Sequence, residues 1–339
     1  MREMKDSGIE WIGDIPVSWK IMPNKYLMRK EKKICPVYHG EDILSLTMKG
    51  VIVRDLDAGG KMPTSFDGYQ RLEAGNLLMC LFDIDVTPRC VGLIKQAGVS
   101  SPAYSQFVLR KGADAAYYCY YYTMLDNDKT LLHLAKNLRH SLTEDQLGAI
   151  PVIVPPIEEQ QRIADFLDTK CAEIDALTAD IQTQIDTLEQ YKRSVITETV
   201  TKGLNPDAEM KDSGIEWVGK MPLAWDAVPN KYLMYKVKNI CPVYNGEDIL
   251  SLTTNGVIIR DLNGGGKMPT SFDGYQKVTP GNLLMCLFDI DVTPRCIGLV
   301  KNFGLTSPAY SQFVMRTGAY APYYYYYYLM VDYTKELLH

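Results

Sequence analysis

An internal repeat constrains how this chain folds more than any other feature of its sequence. Residues 4–133 align with residues 210–339 without a gap, at a shift of 206 residues, and 93 of the 130 aligned pairs are identical. The stretch KMPTSFDGYQ, for example, begins at Lys61 and again at Lys267. This period is far beyond that of solenoid proteins, whose units span roughly 20–50 residues. The repeat therefore predicts two copies of one domain that share a fold and a type of ligand.

The sequence between the copies predicts a long helix. Pro155 and Pro156 favour a helix start, and neither Pro nor Gly follows until beyond about Glu198. Gly203 and Pro206 then end the helix. Apolar residues recur every seven positions, which is typical of a coiled-coil seam. The seam comprises Leu167, Ile174, Ile181, Leu188 and Val195, and a weaker row comprises Ile163, Lys170, Leu177, Gln184 and Tyr191. We expect an antiparallel or intermolecular partner helix, and packing on the chain's own domains is the alternative.

These patterns together predict an α/β protein with three regions. The first domain covers residues 1–150, a spacer region with the long helix covers 151–203, and the second domain covers 204–339. Within each domain, stretches such as VIVRDL, GNLLMCLFDI and SQFVLR are rich in β-forming residues. The stretch AAYYCYYYTMLDNDKTLLHLAKNL predicts a Tyr-rich helix with one buried side, and a base-stacking platform is the alternative for its tyrosines.

Charge is unevenly distributed along the chain. The 36 Lys and Arg residues against 41 Asp and Glu residues give a net charge of −5, which argues against a generic nucleic-acid coat. Residues 158–202 hold five basic and ten acidic residues, so the acidity lies on the predicted helix. Each repeat has a net charge of +1 and can carry a local basic face.

The sequence also predicts a location. No apolar run approaches 18 residues, so no membrane span is expected, and the first residues lack the apolar core of a secretory signal. The eight cysteines form no Cys-x-x-Cys pair and are expected to be reduced thiols in a cytoplasm. Six of them recur between the copies, and four of these six are predicted to be core residues: Cys80, Cys90, Cys286 and Cys296.

Catalytic motifs are scarce. The sequence contains no Gly-rich phosphate loop, no Gly-x-Ser-x-Gly elbow and no His-Glu-x-x-His motif. The pair Asp83 and Asp85, repeated at Asp289 and Asp291, could bind a metal and serve a nuclease. Because the pair precedes Thr-Pro-Arg, the preferred interpretation is a structural turn with Arg89 or Arg295 as the counter-ion.

Basic residues that are retained in both copies are the candidate binding residues. Arg and Lys contact phosphates and base edges in protein–DNA complexes, as do Gln and Asn. Several candidates flank polar or aromatic groups of this kind: Lys61 lies near Tyr69 and Gln70, and Arg110 lies near Gln106, which suggests these glutamines as companion readers. Ordinary solvated charge is the alternative for any single residue. The candidates are Arg54, Lys61, Arg89, Lys95 and Arg110, with their counterparts Arg260, Lys267, Arg295, Lys301 and Arg316.

Three local motifs resemble the DNA specificity subunit of type I restriction-modification systems. IGDIPVSWK and VGKMPLAWD are similar to the Gly-x-x-Pro-x-x-Trp entry to each target recognition domain of that family. VPPIEEQQRIADFLDTKCAEID resembles the family's Pro-Pro-x-x-Glu-Gln-x-x-Ile motif at the start of the spacer helix. GVSSPAYSQFVLR and GLTSPAYSQFVMR resemble the family's Ser-Pro-Ala-Tyr stretch. Together the motifs cover essentially the whole chain, and the spacer motif is the most specific.

The resemblance implies a reader of double-stranded DNA that is not itself an enzyme. In this family each recognition domain contacts one half of a bipartite site, and two antiparallel spacer helices set the distance between the halves. The subunit recruits methyltransferase subunits, which use S-adenosylmethionine, and restriction subunits, which use ATP and Mg²⁺. The resemblance therefore implies that this chain binds no cofactor itself. Self-association through the spacer helix is expected when those partners are absent.

This sequence departs from the family in two respects. The family has a second spacer helix after the second domain, whereas this sequence stops at His339, which matches His133. Either the sequence is truncated or another chain supplies that helix. The two recognition domains of the family are usually unrelated, whereas these two are near copies. A different hypothesis is a scaffold that carries two protein-binding or glycan-binding domains on a coiled-coil spacer and does not bind DNA.

Overall fold

The computed structural model describes residues 2–57, 63–87, 89–135, 140–262, 269–288, 290 and 296–334. The chain divides into two compact units, unit 1 (Met1–Leu177) and unit 2 (Thr178–His339), and each is described by itself. The boundary between the units falls inside the long helix, and the division into residues 1–150, 151–203 and 204–339 stays a prediction.

Unit 1 is built from short antiparallel strands and helices. Its strands are β1 (Met4–Asp6), β2 (Asp14–Pro16), β3 (Lys20–Pro23), β4 (Met28–Glu31), β5 (Leu44–Thr47), β6 (Gly50–Val53), β7 (Gln70–Leu72), β8 (Leu77–Met79), β9 (Val91–Leu93), β10 (Gly98–Ser100), β11 (Ser105–Leu109) and β12 (Pro151–Val154). Its helices are α1 (Ala115–Asn127), α2 (Thr130–Leu134) and α3 (Glu144–Ala149), followed by the start of α4 (Ile157–Lys202).

The central sheet of unit 1 has the strand order β4-β11-β8-β9, and its neighbours are antiparallel. Leu77 on β8 and Phe107 on β11 are register partners, and both are buried in the main core beside the tyrosines of α1. The β5–β6 hairpin packs onto the sheet at Gly92, where an added Cβ would lie 2.8 Å from side-chain atoms of Leu46 and Val51. A glycine is required there because the two layers approach so closely.

The Tyr-rich segment forms two helices rather than the single helix that its composition predicts. Asp114 caps α1, since its side chain accepts a hydrogen bond from the backbone N–H of Tyr117 at 2.9 Å. The segment breaks at Lys129, whose φ of 58° lies in the left-handed region. Residues 136–139, at the end of the predicted helix, lie outside the described residues. The prediction of a buried side is confirmed by Tyr117, Tyr118, Tyr121 and Tyr122, which are buried.

The strand predictions are confirmed with one local correction. Strand β6 overlaps VIVRDL, and strands β8 and β11 fall within GNLLMCLFDI and SQFVLR. The end of the second stretch, however, forms a turn rather than strand, with Asp83 at a φ of 47°. The carbonyl oxygen of Asp83 accepts hydrogen bonds from the backbone N–H groups of Val86 and Thr87.

Unit 2 repeats this architecture. Its strands are β13 (Met210–Asp212), β14 (Lys220–Pro222), β15 (Met234–Val237), β16 (Leu250–Thr253), β17 (Gly256–Ile259), β18 (Gln276–Val278), β19 (Leu283–Met285), β20 (Ile297–Leu299), β21 (Gly304–Thr306) and β22 (Ser311–Met315), and its Tyr-rich helix is α5 (Ala321–Thr334). The central sheet has the matching order β15-β22-β19-β20. Gly298 repeats the close approach of Gly92, with an added Cβ 2.6 Å from Leu252 and Val257.

Helix α4 confirms the predicted spacer helix. It runs from Ile157 to Lys202, immediately after the two prolines, and Gly203 ends it with a φ of 78°. Its 46 residues span about 70 Å at 1.5 Å per residue. Along the predicted seam, Ile174, Ile181, Leu188 and Val195 are 43–65% exposed. Among the described residues, no helix combines the length and apolar character that a bilayer crossing needs.

Candidate nucleic-acid interface

A cavity of about 380 Å³ in unit 1 contains the candidate residue Arg89. The tip of the β5–β6 hairpin forms one wall with Met48, and the turn after β8 forms another with Phe82 and Val86. These three apolar side chains are 59%, 37% and 73% exposed, respectively. Exposed apolar groups beside a cation are a pattern of binding surfaces rather than of cores.

An aromatic pair forms part of this cavity. The rings of Phe82 and Tyr104 stack with centroids 6.3 Å apart and an interplanar angle of 24°. Unit 2 repeats the stack between Phe288 and Tyr310, at 6.4 Å and 19°. Burial raises the pKa of the Tyr104 hydroxyl, whereas the nearby charge of Arg54 lowers it by a smaller amount. Arg54 therefore lies near the same aromatic pair as Arg89.

Buried glutamines hold the aromatic pair in place. The side-chain amide of Gln70 donates hydrogen bonds to the carbonyl oxygens of Ser101 and Tyr104, at 2.9 and 2.8 Å, across the Ser-Pro-Ala-Tyr turn. Gln276 does the same for Ser307 and Tyr310 in unit 2. Gln70 is 1% exposed, so its suggested role as a companion reader of bases is wrong.

Gln106, the other glutamine suggested as a companion reader, is also part of the framework. It is fully buried and accepts hydrogen bonds from the backbone N–H of Glu73, at 2.8 Å, and from the side chain of Asn76, at 3.3 Å. A fully enclosed amide with backbone partners cannot reach a ligand without breaking those bonds. Its role is therefore structural.

Arg89 itself is half-buried, and its Nε is enclosed without a hydrogen-bond partner among the described residues. The sequence suggested Asp83 or Asp85 as its ionic partner. Both aspartates lie in the predicted turn, but within the described ranges no ion pair joins either of them to Arg89. A cation in an apolar cavity is costly unless a ligand or ion balances it. Arg89 is therefore not the counter-ion of Asp83 or Asp85. The cavity that contains it is suited to an anionic or hydrogen-bonding ligand.

A second cavity, of about 230 Å³, contains Arg110 together with Lys25, Arg29 and Lys30. Glu144 lies on its rim and pairs with Lys30 at 3.7 Å. In unit 2 the counterpart of Arg110, Arg316, donates from Nε to the carbonyl oxygen of Lys231 at 3.1 Å and lies over the ring of Tyr235. Clustered cations of this kind contact phosphates in DNA complexes.

The sequence reasoning missed Lys25 and Lys30. Their signal was the same one that selected the other candidates, because Lys231 and Lys236 retain the charge in the second copy. Of the original candidates, Arg89 and Arg54 lie near one aromatic pair, whereas Arg110 lines the other cavity. Lys95 and Lys301 are exposed beyond β9 and β20 and line neither cavity. Lys61, Lys267 and Arg295 lie outside the described residues.

The cysteines behave as predicted core residues. Cys80, Cys90, Cys286 and Cys296 are buried. Burial raises the pKa of the Cys80 and Cys90 thiols. Within the part of the chain that the structure describes, no group of three or more His, Cys, Asp or Glu side chains is arranged to hold a metal ion. Asp289 and Asp291, the second copy of the aspartate pair, lie outside that part.

Part of the chain is similar to one known protein family. Residues 91–187 match the family model described as the type I restriction modification DNA specificity domain. A segment of 88 residues, 26% of this chain, is 32% identical to a putative type I restriction enzyme specificity subunit, MjaX, of Methanocaldococcus jannaschii. The match spans 19% of that relative's length.

A solved structure shares the fold. A structure described as the structural basis of complex assembly and conformational transition of the type I R-M system aligns with a TM-score of 0.56 and 12% identity, over 95% of this chain and 82% of that one. The HsdS subunit from Thermoanaerobacter tengcongensis aligns at 13% identity with a TM-score of 0.48, over 95% of this chain and 81% of that one. Residues 91–187 of this chain therefore match the type I restriction modification DNA specificity domain, and the chain shares its fold with a structure of the type I R-M system.

Proposed function

We propose that this chain reads double-stranded DNA and that each of its two units contacts one half of a bipartite target. The observation that carries the proposal is the stacked aromatic pair that both units contain, Phe82 with Tyr104 and Phe288 with Tyr310, and the cavity of unit 1 in which Arg89 adjoins this pair. Arginine is the side chain that most often recognises guanine in the major groove, through two hydrogen bonds. The neighbouring apolar groups suit contact with thymine methyl groups.

The basic cavity around Arg110 supports a division of labour within unit 1. Lys25, Arg29, Lys30 and Arg110 would contact phosphates and fix the register, while Arg89 and its aromatic neighbours would contact bases. Each repeat carries only a +1 net charge, so these local clusters rather than the overall charge would attract DNA. Partner subunits would supply further phosphate contacts.

Recruitment of methyltransferase and restriction subunits forms the second part of the proposal. The exposed seam of α4, from Ile174 to Val195, is an apolar stripe of the kind that packs against other helices. Methyl transfer and cleavage would be carried out by those partners, which would hold S-adenosylmethionine, ATP and Mg²⁺. The purified chain alone is expected neither to methylate nor to cut DNA.

Paired alanine substitutions test the DNA contact. In the complex with its methyltransferase subunits, Arg89→Ala combined with Arg295→Ala should weaken specific binding by about 1–3 kcal/mol per lost base contact. The matched control is Lys33→Ala combined with Lys170→Ala, because both lysines already pair with carboxylates and the change in net charge is the same. Binding is measured by fluorescence anisotropy over a salt series, since specific DNA binding falls steeply with added salt.

The same experiment distinguishes the scaffold hypothesis. A chain that carries protein-binding or glycan-binding domains would show no salt-dependent DNA affinity in any variant. If DNA binds but the Arg89/Arg295 variant equals its control and remains folded, the arginines are structural and the base readout lies elsewhere.

A further inference from the structure

Two cysteines of unit 1 lie opposite each other across the central sheet. Strands β8 and β9 are antiparallel, and the last register partners of this ladder are Met79 and Val91. One residue further, the backbone N–H of Cys80 donates to the carbonyl oxygen of Cys90 at 2.9 Å. The two cysteines therefore continue the register of the ladder as direct partners.

The backbone spacing at this position suits a disulfide bond. Hydrogen-bonded partners in an antiparallel ladder have Cα atoms about 5.5 Å apart, and disulfides join residues whose Cα atoms are about 4.4–6.8 Å apart. The Cβ atoms of such partners lie about 4.5–5.5 Å apart, whereas a disulfide holds them at about 3.8 Å. Closing the bond would strain the ladder, and strained disulfides are easily reduced. This position therefore favours a reversible bond over a permanent one.

The ladder is also adjustable at the cysteine pair. A regular hydrogen-bonded pair exchanges two backbone hydrogen bonds. Here the N–H of Cys90 donates instead to the carboxylate of Asp126, at 2.8 Å. Because the second bond of the pair is replaced, Cys90 can approach Cys80 without breaking a regular ladder.

Cys80 adjoins the cavity that contains Arg89. Its side chain lines that cavity, although only 2% of the residue is exposed. Burial is the main cause that raises the pKa of both thiols, and for Cys90 the nearby charges of Asp126 and Cys80 add to it. The two sulfur atoms are therefore close enough to influence each other. Both groups remain thiols at neutral pH, so they exchange slowly with small disulfides.

The reduced thiol of Cys80 braces the turn that follows β8. Its Sγ donates to the carbonyl oxygen of Phe82 at 3.3 Å and lies 3.6 Å from Oγ1 of Thr87. The Thr87 hydroxyl in turn donates to the carbonyl oxygen of Asp83 at 2.8 Å. The thiol is thus part of the network that places the ring of Phe82 against Tyr104.

Unit 2 repeats both features. The backbone N–H of Cys286 donates to the carbonyl oxygen of Cys296 at 2.8 Å. The Sγ of Cys286 donates to the carbonyl oxygen of Phe288 at 3.4 Å, and the ring of Phe288 stacks on Tyr310. Each unit therefore joins a cysteine pair to its aromatic pair through the same turn.

We propose that Cys80 and Cys90 form a reversible disulfide by exchange with a small organic disulfide, and that Cys286 and Cys296 do the same. The Cys80 thiolate attacks one sulfur of that compound, whose S–S bond breaks, and one thiolate leaves. The Cys90 thiolate then attacks the Cys80 sulfur of the mixed disulfide and releases the second thiolate. The two protons from the cysteines go to the two released thiolates. The cysteine pair is thereby oxidised by two electrons, and the small disulfide is reduced to two thiols.

The consequence for DNA binding rests on the proposed function, whereas the disulfide itself does not. Formation of the bond draws the Cys80 sulfur away from Phe82 and Thr87, so the turn loses the contacts that hold it. Since both pairs respond to the same reagent, both half-site contacts weaken together. A reducing thiol restores them.

Redox titration of the full chain tests the bond. The chain is equilibrated with 2-mercaptoethanol and its disulfide at a series of ratios, quenched with acid, alkylated and digested with trypsin, which cleaves after Arg89 between the two cysteines. Mass spectrometry should find the peptides of Cys80 and Cys90 joined at oxidising ratios and separate after excess thiol. Cys35 should remain a thiol, because its backbone partner is Tyr69 rather than a cysteine.

Fluorescence anisotropy measures the consequence. The oxidised chain is freed of reagent and assembled with untreated methyltransferase subunits. It should bind target DNA at least about tenfold more weakly than the reduced chain, which corresponds to the loss of roughly one base contact. Excess thiol should restore the affinity.

Paired alanine variants separate the disulfide from other oxidation. Cys90→Ala combined with Cys296→Ala should bind like the reduced chain before and after treatment, because Cys80 then has no second thiol opposite it. Cys35→Ala combined with Cys241→Ala is the matched control, since it also removes one buried thiol from each unit. The control should remain sensitive to oxidation. Thermal unfolding checks that both variants are folded.

Several results would overturn the proposal. One is the absence of the Cys80–Cys90 linkage at the most oxidising ratio in a chain that is still folded. Another is a linkage to Cys35, which would arise from unfolding. A linked pair that leaves the DNA affinity unchanged would overturn its control of the turn. If the reduced chain shows no specific DNA binding, the proposed function fails instead, and the peptide linkage alone still decides the disulfide.

Discussion

The carboxylate of Asp126 accepts a hydrogen bond from the backbone N–H of Cys90 at 2.8 Å, and Asp332 makes the same contact with Cys296 at 3.2 Å. Each bond ties the Tyr-rich helix of a unit to the loop that leads into its sheet. Both aspartates are buried. A buried acceptor that satisfies a backbone donor cannot be removed without leaving that donor unpaired.

We therefore predict that Asp126→Ala destabilises unit 1 by about 1–3 kcal/mol. The measurement is urea unfolding followed by tyrosine and tryptophan fluorescence. Asp128→Ala is the matched control, because Asp128 is exposed just beyond the same helix. Equal unfolding midpoints for the two variants would show that the Cys90 N–H finds another partner.

Gln70→Ala should weaken DNA binding although Gln70 cannot touch DNA. The substitution removes two hydrogen bonds, each worth about 1 kcal/mol, that hold the turn carrying Tyr104. The stacked pair with Phe82 would then lose its fixed position. Anisotropy with target DNA measures the effect, and Gln96→Ala, at an exposed loop position, is the control. If the Gln70 variant is destabilised but binds target DNA with unchanged affinity, the aromatic pair is not part of the DNA interface.

Target symmetry follows from the duplication. Since the charge-matched arginines and lysines recur in both copies, the two half-sites should have closely similar sequences. The segments 71–74 and 96–100 differ between the copies, but neither is well placed to contact DNA. In the first segment Arg71 pairs with Glu41 at 3.6 Å, and in the second β10 is largely buried. A difference at the cavity wall is better placed: Met48 and Lys49 are replaced by Thr254 and Asn255 in unit 2.

We predict that Met48→Thr combined with Lys49→Asn makes the two half-sites identical. Mapping methylated adenines in cells that carry the complete system measures both half-sites. Val37→Thr, at an exposed loop position outside the cavity, should leave the target unchanged. Half-sites of unrelated sequence in the unmodified system would show that the divergent positions carry the readout.

The exposed seam of α4 should cause concentration-dependent self-association when partner subunits are absent. Ile181 is 48% exposed at the middle of the seam, and burial of such stripes drives helix pairing. Ile181→Asp is expected to abolish the association, as measured by light scattering over a concentration series. Ala179→Asp introduces the same charge two residues away, off the seam, and should associate normally. A stably monomeric unmodified chain at high concentration would contradict this prediction.

Acid should destabilise unit 1 through Glu159. Its carboxylate accepts hydrogen bonds from the side chain of Arg2 and from the indole N–H of Trp19, and the Arg2 hydrogen bond is the largest cause that lowers its pKa. A carboxyl group whose pKa is lower in the folded state stabilises that state above its unfolded pKa, and the stabilisation is lost as the pH falls through the folded value. The loss should therefore occur below the ordinary glutamate pKa of about 4.3.

Glu159→Gln should flatten this acid dependence, because the amide does not titrate. Thermal unfolding of unit 1 between pH 6 and pH 3 measures the difference. Glu158→Gln, at the neighbouring exposed position, should retain the full dependence. If the unfolding temperatures of Glu159→Gln and of the unmodified chain fall in parallel as the pH decreases, other carboxylates cause the acid sensitivity.

Features set by local chemistry were predictable from the sequence. The two prolines before Ile157 and the glycine at 203 fixed the ends of α4, and the recurrence of MKDSGIEW and its neighbours predicted two similar units. The break at Lys129 was missed, because no Pro or Gly marks it and a left-handed φ at a lysine has no strong sequence signal. Leu131, two residues beyond the break, is buried in the main core of unit 1.

The candidate interface was only partly predictable. Charge matching between copies selected Arg54, Arg89 and Arg110, but it could not separate one cavity from another, since residues distant in sequence form each wall. The glutamines were misinterpreted for a related reason. A polar residue in a β-rich stretch has the same sequence signature whether it faces a ligand or satisfies a buried turn, and the positions of Gln70 and Gln106 depend on the folded chain.

The uneven burial of α4 has a consequence for its dynamics. Ala164 near its start and Val200 near its end are 3% and 5% exposed, whereas Leu177, Ile181 and Ile185 between them are 45–60% exposed. A helical stretch without substantial burial is held mainly by its own backbone hydrogen bonds and is marginal in water. Amide protons at the centre of α4 should therefore exchange with solvent before those at either end, and a protease should nick the chain there first. If another helix covers the seam, both hydrogen exchange and proteolysis at the centre of α4 should become slower, and the exchange data would locate the covered residues.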